Sequence, residues 1–482
     1  MAKPTPNDSF PTPTSQVQSE TEEVLAAHAP PADSTLQRKK HLSFLIRHLT
    51  QGFPSRYASQ DASQPWLMFW TLQAFSTLQV GLDPGNRRRV IDKMLACQHP
   101  DGGFGGGPGH EAHLLPTYAA VCSLAIVGSP GENGGWDQID RKKLYEFFMS
   151  LKQPDGSFTV SRQGEVDVRG IYCLLAVATL LNILTSELVA GTPEFIASCQ
   201  TYEGGFASAS FPFFTSSGDL LSSPRPQLGE AHGGYTFCAV ASWVLLQPFI
   251  SSSVKINTRN LVRWLVQMQG SQIELGGFRG RTNKLVDGCY AWWVGGCFAL
   301  LEGLDSAGSA VMHPAEEEVH EEGKADGEEW SDDEIDTDVW NPEALQEYIL
   351  YAGQHPNGGL RDKPPKQALL PSLSDYWPDS VHKNVLEALW RRNETQLTGN
   401  ALDDDLRREI YIRALSWSEI EAHSSRKHKG TVKRKMIGGD ENRLNATHPL
   451  FNLTVTHTDA TMAYFYGQPT PPPRTAPIKK SA

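Results

Sequence analysis

The stretch CQHPDGGFGGG at Cys97–Gly107 decides the fold, because related versions of it return four times along the chain. The later copies are LKQPDGSF (Leu151–Phe158), CQTYEGGF (Cys199–Phe206), ELGGFRGR (Glu274–Arg281) and GQHPNGGLRDK (Gly353–Lys363). Their first glycines, Gly102, Gly156, Gly204, Gly276 and Gly358, are 54, 48, 72 and 82 residues apart. A period of this size is typical of architectures in which repeated units pack on their neighbours.

The segments between these turns are apolar, with the period of a helix. They read TYAAVCSLAIVG at Thr117–Gly128, GIYCLLAVATLLNIL at Gly170–Leu184, YTFCAVASWVLL at Tyr235–Leu246 and CYAWWVGGCFALLEGL at Cys289–Leu304. Apolar residues at most positions indicate helices that are buried on more than one face. No alternating run is long enough to indicate a sheet. Five or six units of two helices and a glycine turn can close into a ring, so the sequence predicts an all-α fold, an α-α toroid, over residues 36–467.

Composition separates several flanking or inserted segments. Residues 1–35 are predicted to be a disordered arm and residues 468–482 a disordered Pro-rich tail. Residues 306–339 are predicted to be an acidic loop insertion, since thirteen acidic residues and one lysine between Glu316 and Asp338 account for the whole net charge of −12. A solvated loop is favoured there over docking to a basic partner. The remaining body is neutral, which predicts no nucleic-acid partner.

The sequence also indicates a compartment. No run of about 18 apolar residues is present, which predicts no membrane span. The N-terminus lacks the basic and then apolar pattern of a signal peptide. Seven cysteines without a CxxC pair suit reduced thiols. Together these features predict a cytoplasmic protein.

Polar residues that helix packing does not require follow the glycine turns in four places. These are Arg169 in GEVDVRG, His232 and Tyr235 in GEAHGGYTFC, Arg281, Lys284, Asp287, Cys289 and Tyr290 in GRTNKLVDGCY, and Arg361, Asp362, Lys363 and Lys366 in GGLRDKPPK. In a toroid, equivalent helix N-termini converge on one cavity, and cations at that mouth suit a highly charged anion such as diphosphate. A solvated turn explains any one of these cations, but their equivalent repeat positions favour a site.

Two further patterns suggest a metal and an apolar ligand. Asp287 and Cys289 are two residues apart and can both reach one Zn²⁺, although this pair alone is a weak signal and a lone Cys289 is more simply a buried small side chain. The inner helices carry Trp66, Trp70, Tyr172, Tyr235, Cys238, Trp292 and Trp293. Such residues are more often core than ligand wall. Beside a positive mouth, however, they suit a long apolar diphosphate ester.

At this point the motifs match a known family. CQHPDGGFGGGPGHEAHLLPTYAA, LKQPDGSF, GEVDVR, GEAHGGYTFC and GGFRGRTNKLVDGCY resemble the β subunits of protein farnesyltransferases, and THPLFNLTVTHTDATMAYFYGQP resembles the C-terminal part of the fungal members. The resemblance covers residues 66–366 and 438–469. It implies a heterodimer with a prenyltransferase α subunit, which transfers farnesyl from farnesyl diphosphate to the cysteine of proteins that end in CaaX.

The resemblance also implies roles for individual residues. Asp287 and Cys289 match two zinc ligands, and Asp362 matches a carboxylate that holds Mg²⁺ near the diphosphate. The diphosphate cluster is matched by His232, Arg281, Lys284 and Tyr290, and the isoprenoid wall by Arg169, Tyr172, Tyr235, Cys238 and Trp293. Zinc would lower the pKa of a peptide thiol from about 8.5, and the resulting thiolate would attack C1 of the farnesyl chain. The cations and Mg²⁺ would stabilise the leaving diphosphate.

Two positions indicate the length of the donor. Trp70 matches the bulky residue that shortens the pocket in farnesyl enzymes, and Asp362 matches their Mg²⁺ carboxylate. Both favour a C15 donor over the C20 donor of the alternative family member, the geranylgeranyltransferase type I β subunit. The DxDD acid motif of triterpene cyclases, which share the toroid, is not found.

One departure from the family affects the zinc site. In the family, DKPxK is followed within six residues by a Tyr-His pair whose histidine is the third zinc ligand, but Pro371 and Ser372 stand there in this chain. His382 is the nearest downstream histidine and the candidate substitute. The atypical segment 367–436 matches nothing in the family, and one hypothesis is an altered or wrongly spliced gene model, which transcript sequencing tests. The alternative is a non-catalytic homologue with an incomplete zinc site.

Overall fold

The computed structural model describes residues 10–27, 35–211, 213–214, 220–221, 225–301, 304, 340–364, 401–415 and 436–470. The helices are α1 Pro13–Ala27, α2 Arg38–Gln51, α3 Gln64–Thr77, α4 Pro84–Ala96, α5 Leu114–Val127, α6 Arg141–Leu151, α7 Val168–Leu180, α8 Ser186–Val189, α9 Thr192–Ser198, α10 Gly233–Leu245, α11 Thr258–Gln267, α12 Tyr290–Trp293, α13 Pro342–Tyr348, α14 Ala401–Leu415 and α15 Val455–Tyr466. Helix resumes after α12 at 295–301. Short 3-10 turns lie at Ser55–Ser63, Gln247–Phe249, Gln272–Glu274 and Asp440–Asn442, with a π turn at Ile349–Gly353. Two antiparallel pairs join β1 Phe213–Phe214 to β2 Leu220–Leu221 and β3 Thr447–His448 to β4 Leu453–Thr454.

Five helices of the described residues form the inner layer. α3 packs on α5, α5 on α7, α7 on α10 and α10 on α12, in sequence order. Nearly every residue of α5, α7 and α10 is buried, because each has neighbours on both sides and an outer helix behind. The outer helices are amphipathic, as in α11, which buries only Leu261, Trp264 and Leu265. The prediction of apolar helices buried on more than one face is therefore confirmed for α5, α7 and α10.

Each glycine turn follows an outer helix and packs against the start of the next outer helix. Every copy forms a narrow hairpin, bridged at Gln98 and Phe104, Lys152 and Phe158, Gln200 and Phe206, Gln269 and Phe278, or Gln354 and Leu360. The fourth hairpin is longer by the 3-10 turn Gln272–Glu274. The first glycine of every copy has positive φ. A Cβ on these glycines would collide with Lys143, Gly191, Asn260, Ala344 and Lys40 respectively, at the start of the following outer helix. Glycine is thus required both for the backbone conformation and for the close approach.

A glutamine in the turn adds a reciprocal pair of hydrogen bonds. Gln200 donates to Asn257 O (2.9 Å) and accepts from Asn257 N (2.7 Å). Gln269 does the same with Asn341, at 2.7 and 2.8 Å. Asn257 and Asn341 are the N-cap residues of α11 and α13, so the turn of one repeat fixes the first residue of the next outer helix.

The last repeat makes these contacts with the first helix and closes the ring. A Cβ on Gly358 would lie 2.2 Å from Lys40 O, in α2. Gln354 accepts from Gln37 N (2.7 Å) and donates to Thr35 O (3.2 Å). The contact that joins neighbouring repeats therefore also joins the end of the series to its beginning, which is the defining feature of the predicted toroid.

One end of the ring is filled by a C-terminal plug, residues 445–466. Asn445 N donates to Thr77 O (2.8 Å), the last residue of α3, and α15 packs on α5 and α7. The hydroxyls of Tyr118 and Tyr172 donate into the ring, to Phe451 O (2.7 Å) and Leu450 O (3.0 Å). The plug lies at the C-terminal ends of the inner helices, so their N-termini face the other end.

The prediction of a disordered arm over residues 1–35 is wrong for residues 13–27, which form α1. Thr12 and Ser15 cap its start, since Ser15 N donates to Thr12 Oγ1 (3.1 Å) and Thr12 N to Ser15 Oγ (2.8 Å). The helix formers that follow carry one apolar anchor, Leu25, which is fully buried against Val286 and Tyr348. Tertiary burial thus outweighs the polar composition of the segment.

The other segments set apart by composition are described only in part. The predicted disordered tail begins with ordered residues, since Arg141 donates to Gln468 Oε1 and Pro469 O, both at 3.0 Å; its residues 471–482 lie outside the described residues. Within the atypical segment, α14 packs on α7, α10 and α15, and 367–400 and 416–435 lie outside. The acidic insertion 306–339 lies outside as well. Among the described residues, no helix is long and apolar enough to cross a membrane.

Candidate active site

A row of capping side chains marks the open end of the ring. His113 accepts from Leu115 N (3.1 Å), Asp167 from Arg169 N (2.8 Å) and His232 from Gly234 N (3.0 Å), each two residues after the cap. These residues begin α5, α7 and α10 at equivalent positions. Neighbouring helix N-termini carry partial positive charge, so this end of the ring favours an anion.

His232 and Tyr290 form a neutral pair of donors at this mouth. His232 Nδ1 accepts from Gly234 N, so the proton of the neutral ring lies on Nε2, which is 3.1 Å from the Tyr290 hydroxyl oxygen. Burial, with Arg281 and Arg169 nearby, lowers the pKa of His232 below its ordinary value. Burial raises the pKa of Tyr290, which keeps its proton. With its oxygen accepting from His232, the Tyr290 hydroxyl can donate outward to an anion.

The predicted cations are held by carboxylates that the sequence analysis did not assign. Arg281 pairs with Glu230 at 2.6 Å. Arg169 pairs with Asp167 at 2.6 Å and lies over the Tyr235 ring, 5.2 Å from its centroid. Both guanidinium groups remain half-exposed, so an incoming anion can reach them. Lys284 is exposed as well. It lies in the same turn as Arg281, since the backbone N–H of Lys284 donates to Arg281 O (3.3 Å).

Asp287 and Cys289 lie on a loop that is fixed at both ends. Asp287 N donates to Phe278 O (2.9 Å), and the Asp287 carboxylate accepts from Cys289 N (3.0 Å). Gly288 N donates to Asp362 O (2.8 Å), which brings the second predicted carboxylate beside the pair. Lys363 Nζ lies 3.7 Å from Asp287 Oδ2. The structure therefore brings Asp287, Cys289 and Asp362 together at one side of the mouth.

The donor set at this loop fits zinc in part. A carboxylate and a free thiol are two of the ligand types that zinc prefers. Burial and the Asp287 carboxylate raise the pKa of the Cys289 thiol, an effect that a bound divalent cation reverses. Within the described part of the chain, no group of three His, Cys, Asp or Glu side chains is arranged around a metal position. His382, the predicted third ligand, and the slot of Pro371 and Ser372 lie outside the described residues.

An aromatic belt lines the inner helices below the mouth. Its consecutive ring pairs are Trp70 and Trp66 (5.5 Å between centroids), Trp66 and Tyr118 (5.6 Å), Tyr118 and Tyr172 (5.5 Å), Tyr172 and Phe237 (5.5 Å), and Phe237 and Trp293 (5.4 Å). Tyr235 joins it to the mouth through His232, 4.9 Å away. Trp70 and Trp293 are half-buried and Cys238 is buried. Five residues that the sequence placed in the apolar wall thus lie on or beside one belt: Trp70, Tyr172, Tyr235, Cys238 and Trp293.

Tyr118 and Phe237 complete the belt, although neither was predicted from the sequence as a wall residue. Tyr118, Tyr172 and Phe237 each follow their helix cap by five residues, counted from His113, Asp167 and His232. Aligning the repeats on these caps, rather than on the glycine turns alone, is the signal that would have found them.

Comparison with known proteins agrees with this architecture. Residues 36–403 match the family described as the prenyltransferase alpha-alpha toroid domain, and the chain belongs to that family. It is 36% identical to the protein farnesyltransferase subunit beta of Pisum sativum over 345 residues, 64% of this chain and 75% of that protein. It is 37% identical to the subunit of the same name from Schizosaccharomyces pombe over 330 residues, 68% and 73% of the two chains.

A solved structure shares the fold. The Candida albicans protein geranylgeranyltransferase-I complexed with GGPP aligns with a TM-score of 0.53 over 89% of this chain and 99% of that one, at 16% identity. At this identity the likeness concerns the fold alone. The α-α toroid and the relationship to protein farnesyltransferase β subunits, both predicted from the sequence, are confirmed.

Proposed function

We propose that this chain is the catalytic β subunit of a cytoplasmic protein farnesyltransferase, which acts with a prenyltransferase α subunit. Its substrates are farnesyl diphosphate and proteins that end in CaaX. One observation carries the proposal: the donors His232, Tyr290 and Arg281 meet at the N-termini of inner helices, directly beside a continuous aromatic belt. A charged headgroup joined to a long apolar tail fits that arrangement.

The mouth residues would bind and then stabilise the diphosphate. The Tyr290 hydroxyl, the Arg281 guanidinium and the Lys284 ammonium donate to its oxygens, and Asp362 would hold a Mg²⁺ ion beside it. Before the anion arrives, the ion pair with Glu230 keeps the Arg281 guanidinium oriented. When diphosphate binds, Arg281 donates to it in place of Glu230 or in addition to it. As the bond from C1 to oxygen breaks, negative charge grows on the leaving diphosphate, and the same donors stabilise it more strongly.

The other reactant is the thiol of the CaaX cysteine. Asp287 and Cys289 would supply two zinc ligands, with His382 as the candidate third. When bound, zinc lowers the pKa of the peptide thiol and supplies a thiolate at neutral pH. The thiolate sulfur forms a bond to C1 of the farnesyl chain while the bond from C1 to oxygen breaks, and diphosphate leaves.

Trp70 would set the length of the donor by ending the apolar pocket after three isoprene units. A smaller residue there would admit a C20 chain. The first alternative function, a geranylgeranyltransferase type I β subunit, requires such a C20 donor. The slot of Pro371 and Ser372 supports the second alternative, a non-catalytic homologue that retains the diphosphate mouth but lacks a complete zinc site.

One experiment separates these readings. The full chain is co-expressed with its α subunit, its zinc content is measured by elemental analysis, and transfer of C15 and C20 groups to a CaaX peptide is followed. We expect about one zinc per heterodimer and a preference for the C15 donor. A preference for C20 would favour the type I enzyme. Binding of farnesyl diphosphate without zinc or transfer would favour the non-catalytic homologue.

A further inference from the structure

Helix α1 lies outside the repeats and outside the residues that match the family, yet it contacts the loop of Asp287 and Cys289. We call residues 13–27 the N-terminal strap. Its Leu25 is fully buried in a small apolar cluster with Val286, Tyr348 and Ala352, which are fully buried as well. Val286 directly precedes Asp287, so the strap packs on the backbone that carries the candidate ligands.

A polar contact supplements this packing. Gln18 Nε2 donates to Glu274 Oε1 (3.0 Å), and the Glu274 side chain is fully buried. The other oxygen of Glu274 accepts from Ser271 N (2.9 Å) and from Arg279 Nη2 (2.8 Å). Gln18 therefore supplies a partner for the oxygen of a buried carboxylate that Ser271 and Arg279 do not use, and a lost partner at such a group is costly.

The residues under the strap hold the site loop from two sides. Arg279 and Val286 are bridged as an antiparallel pair, which fixes the start of the loop. Tyr348 donates its hydroxyl to Asp362 O (2.6 Å), the same oxygen that accepts from Gly288 N. Leu25 thus shares one buried cluster with Val286, beside Asp287, and with Tyr348, which fixes the Asp362 backbone.

We infer that the N-terminal strap is a positioning element for the loop that carries Asp287, Cys289 and Asp362. Leu25 and Gln18 act through Val286, Tyr348 and Glu274 and touch no substrate. The positioning rests on geometry alone, whereas its meaning for catalysis rests on the proposed function. The strap restricts the motion of the loop, so the two candidate ligands stay in one arrangement.

Hydrogen exchange, followed by mass spectrometry, tests this inference on the full chain co-expressed with its α subunit. Leu25→Asp places a charge in the buried cluster, and Val17→Asp places the same charge on an exposed position of the same helix. We expect amides of residues 284–290 to exchange about tenfold faster or more in Leu25→Asp, with α5 and α7 unchanged. In Val17→Asp the amides of residues 284–290 should exchange at the wild-type rate. The conservative Leu25→Met should also keep the wild-type rate, because it keeps an apolar side chain in the cluster.

Two results would overturn the inference. One is a strap whose amides already exchange at the unprotected rate in the wild type. The other is a strap released by Leu25→Asp while 284–290 exchanges as before. If Leu25→Asp does not yield a folded heterodimer, Leu25→Ala and Gln18→Ala provide the same comparison. A wild type without farnesyl transfer would remove the proposed function and leave the exchange result to stand.

Discussion

At the scale of single residues, His232 links the fold to the chemistry through its two ring nitrogens. Nδ1 caps α10 by accepting from Gly234 N, and Nε2 lies 3.1 Å from the Tyr290 hydroxyl. The cap fixes the tautomer of His232, with its proton on Nε2. Because Nε2 then donates to the Tyr290 oxygen, the hydroxyl proton of Tyr290 is left to point to an incoming anion. A residue needed to begin a helix is therefore also placed to orient a donor.

Replacing Cys289 by alanine should remove zinc and lower farnesyl transfer by about 100-fold or more, because one of the proposed zinc ligands is lost. Binding of farnesyl diphosphate should stay close to wild type, since His232, Tyr290 and Arg281 are untouched. Elemental analysis, a transfer assay and diphosphate-ester binding measure the three effects. Cys199→Ala, at the buried residue that caps the C-terminus of α9, is the matched control. Unchanged turnover in Cys289→Ala would remove this residue from the site.

Replacing Trp70 by threonine should deepen the apolar pocket and shift donor use toward the C20 diphosphate by about tenfold or more. The ratio of kcat/KM for the two donors measures the shift. Trp66→Thr is the informative comparison, because Trp66 lies between Trp70 and Tyr118 in the belt. A donor preference that moves only in Trp66→Thr would assign the end of the pocket to Trp66 instead.

At the scale of elements, the C-terminal plug is held by buried polar groups. His448 Nε2 lies 2.6 Å from Ala414 O and its Nδ1 accepts from Leu450 N (3.2 Å), so the neutral ring satisfies both partners. Ala414 belongs to α14, which ties this otherwise unmatched helix to the plug. Burial lowers the pKa of His448 to about 4.

This shift predicts acid sensitivity. Between pH 6.5 and 4 the unfolded state binds a proton at His448 that the folded state does not. The free energy of unfolding should therefore decrease as the pH is lowered, by about 3 kcal/mol at pH 4. The free energy of unfolding in urea at pH 7 and pH 4.5 measures it, with His448→Gln and the exposed His110→Gln compared. His448→Gln should lose less stability between the two pH values than His110→Gln. Equal losses would show that His448 does not carry the effect.

At the scale of the whole molecule, the ring depends on the contact between its last turn and its first helix. Gly358 has φ +88, and a Cβ there would meet Lys40 O at 2.2 Å, whereas Gly109 has φ +76 with nothing within 4 Å. Gly109→Ala should cost about 1–2 kcal/mol through its backbone conformation alone. Gly358→Ala should cost about 1–3 kcal/mol more, because α2 must move. Urea unfolding measures both, and equal costs would argue against close packing at the ring closure.

The sequence predicts the repeats well, because each repeat is specified locally. A glycine turn, a capping residue and an apolar helical period lie within about 50 residues of one another, and they predict the inner helices, the turns and the toroid. The same repeats identify His232, Arg281, Asp287 and Cys289, since equivalent helix starts meet at one mouth.

By itself the sequence therefore determined the toroid and its family, and it proposed most residues of the candidate site. Only the tertiary structure decided which distant segments pack against the ring and against the loop of the candidate site. Tyr118 bonds to Phe451, 333 residues away, and Gln18 to Glu274, 256 residues away. Neither the N-terminal strap nor the C-terminal plug carries a sequence repeat or a period from which its contact partner could be predicted. Burial of an apolar anchor and satisfaction of buried polar groups choose these contacts, and both depend on surfaces that exist only once the ring has closed.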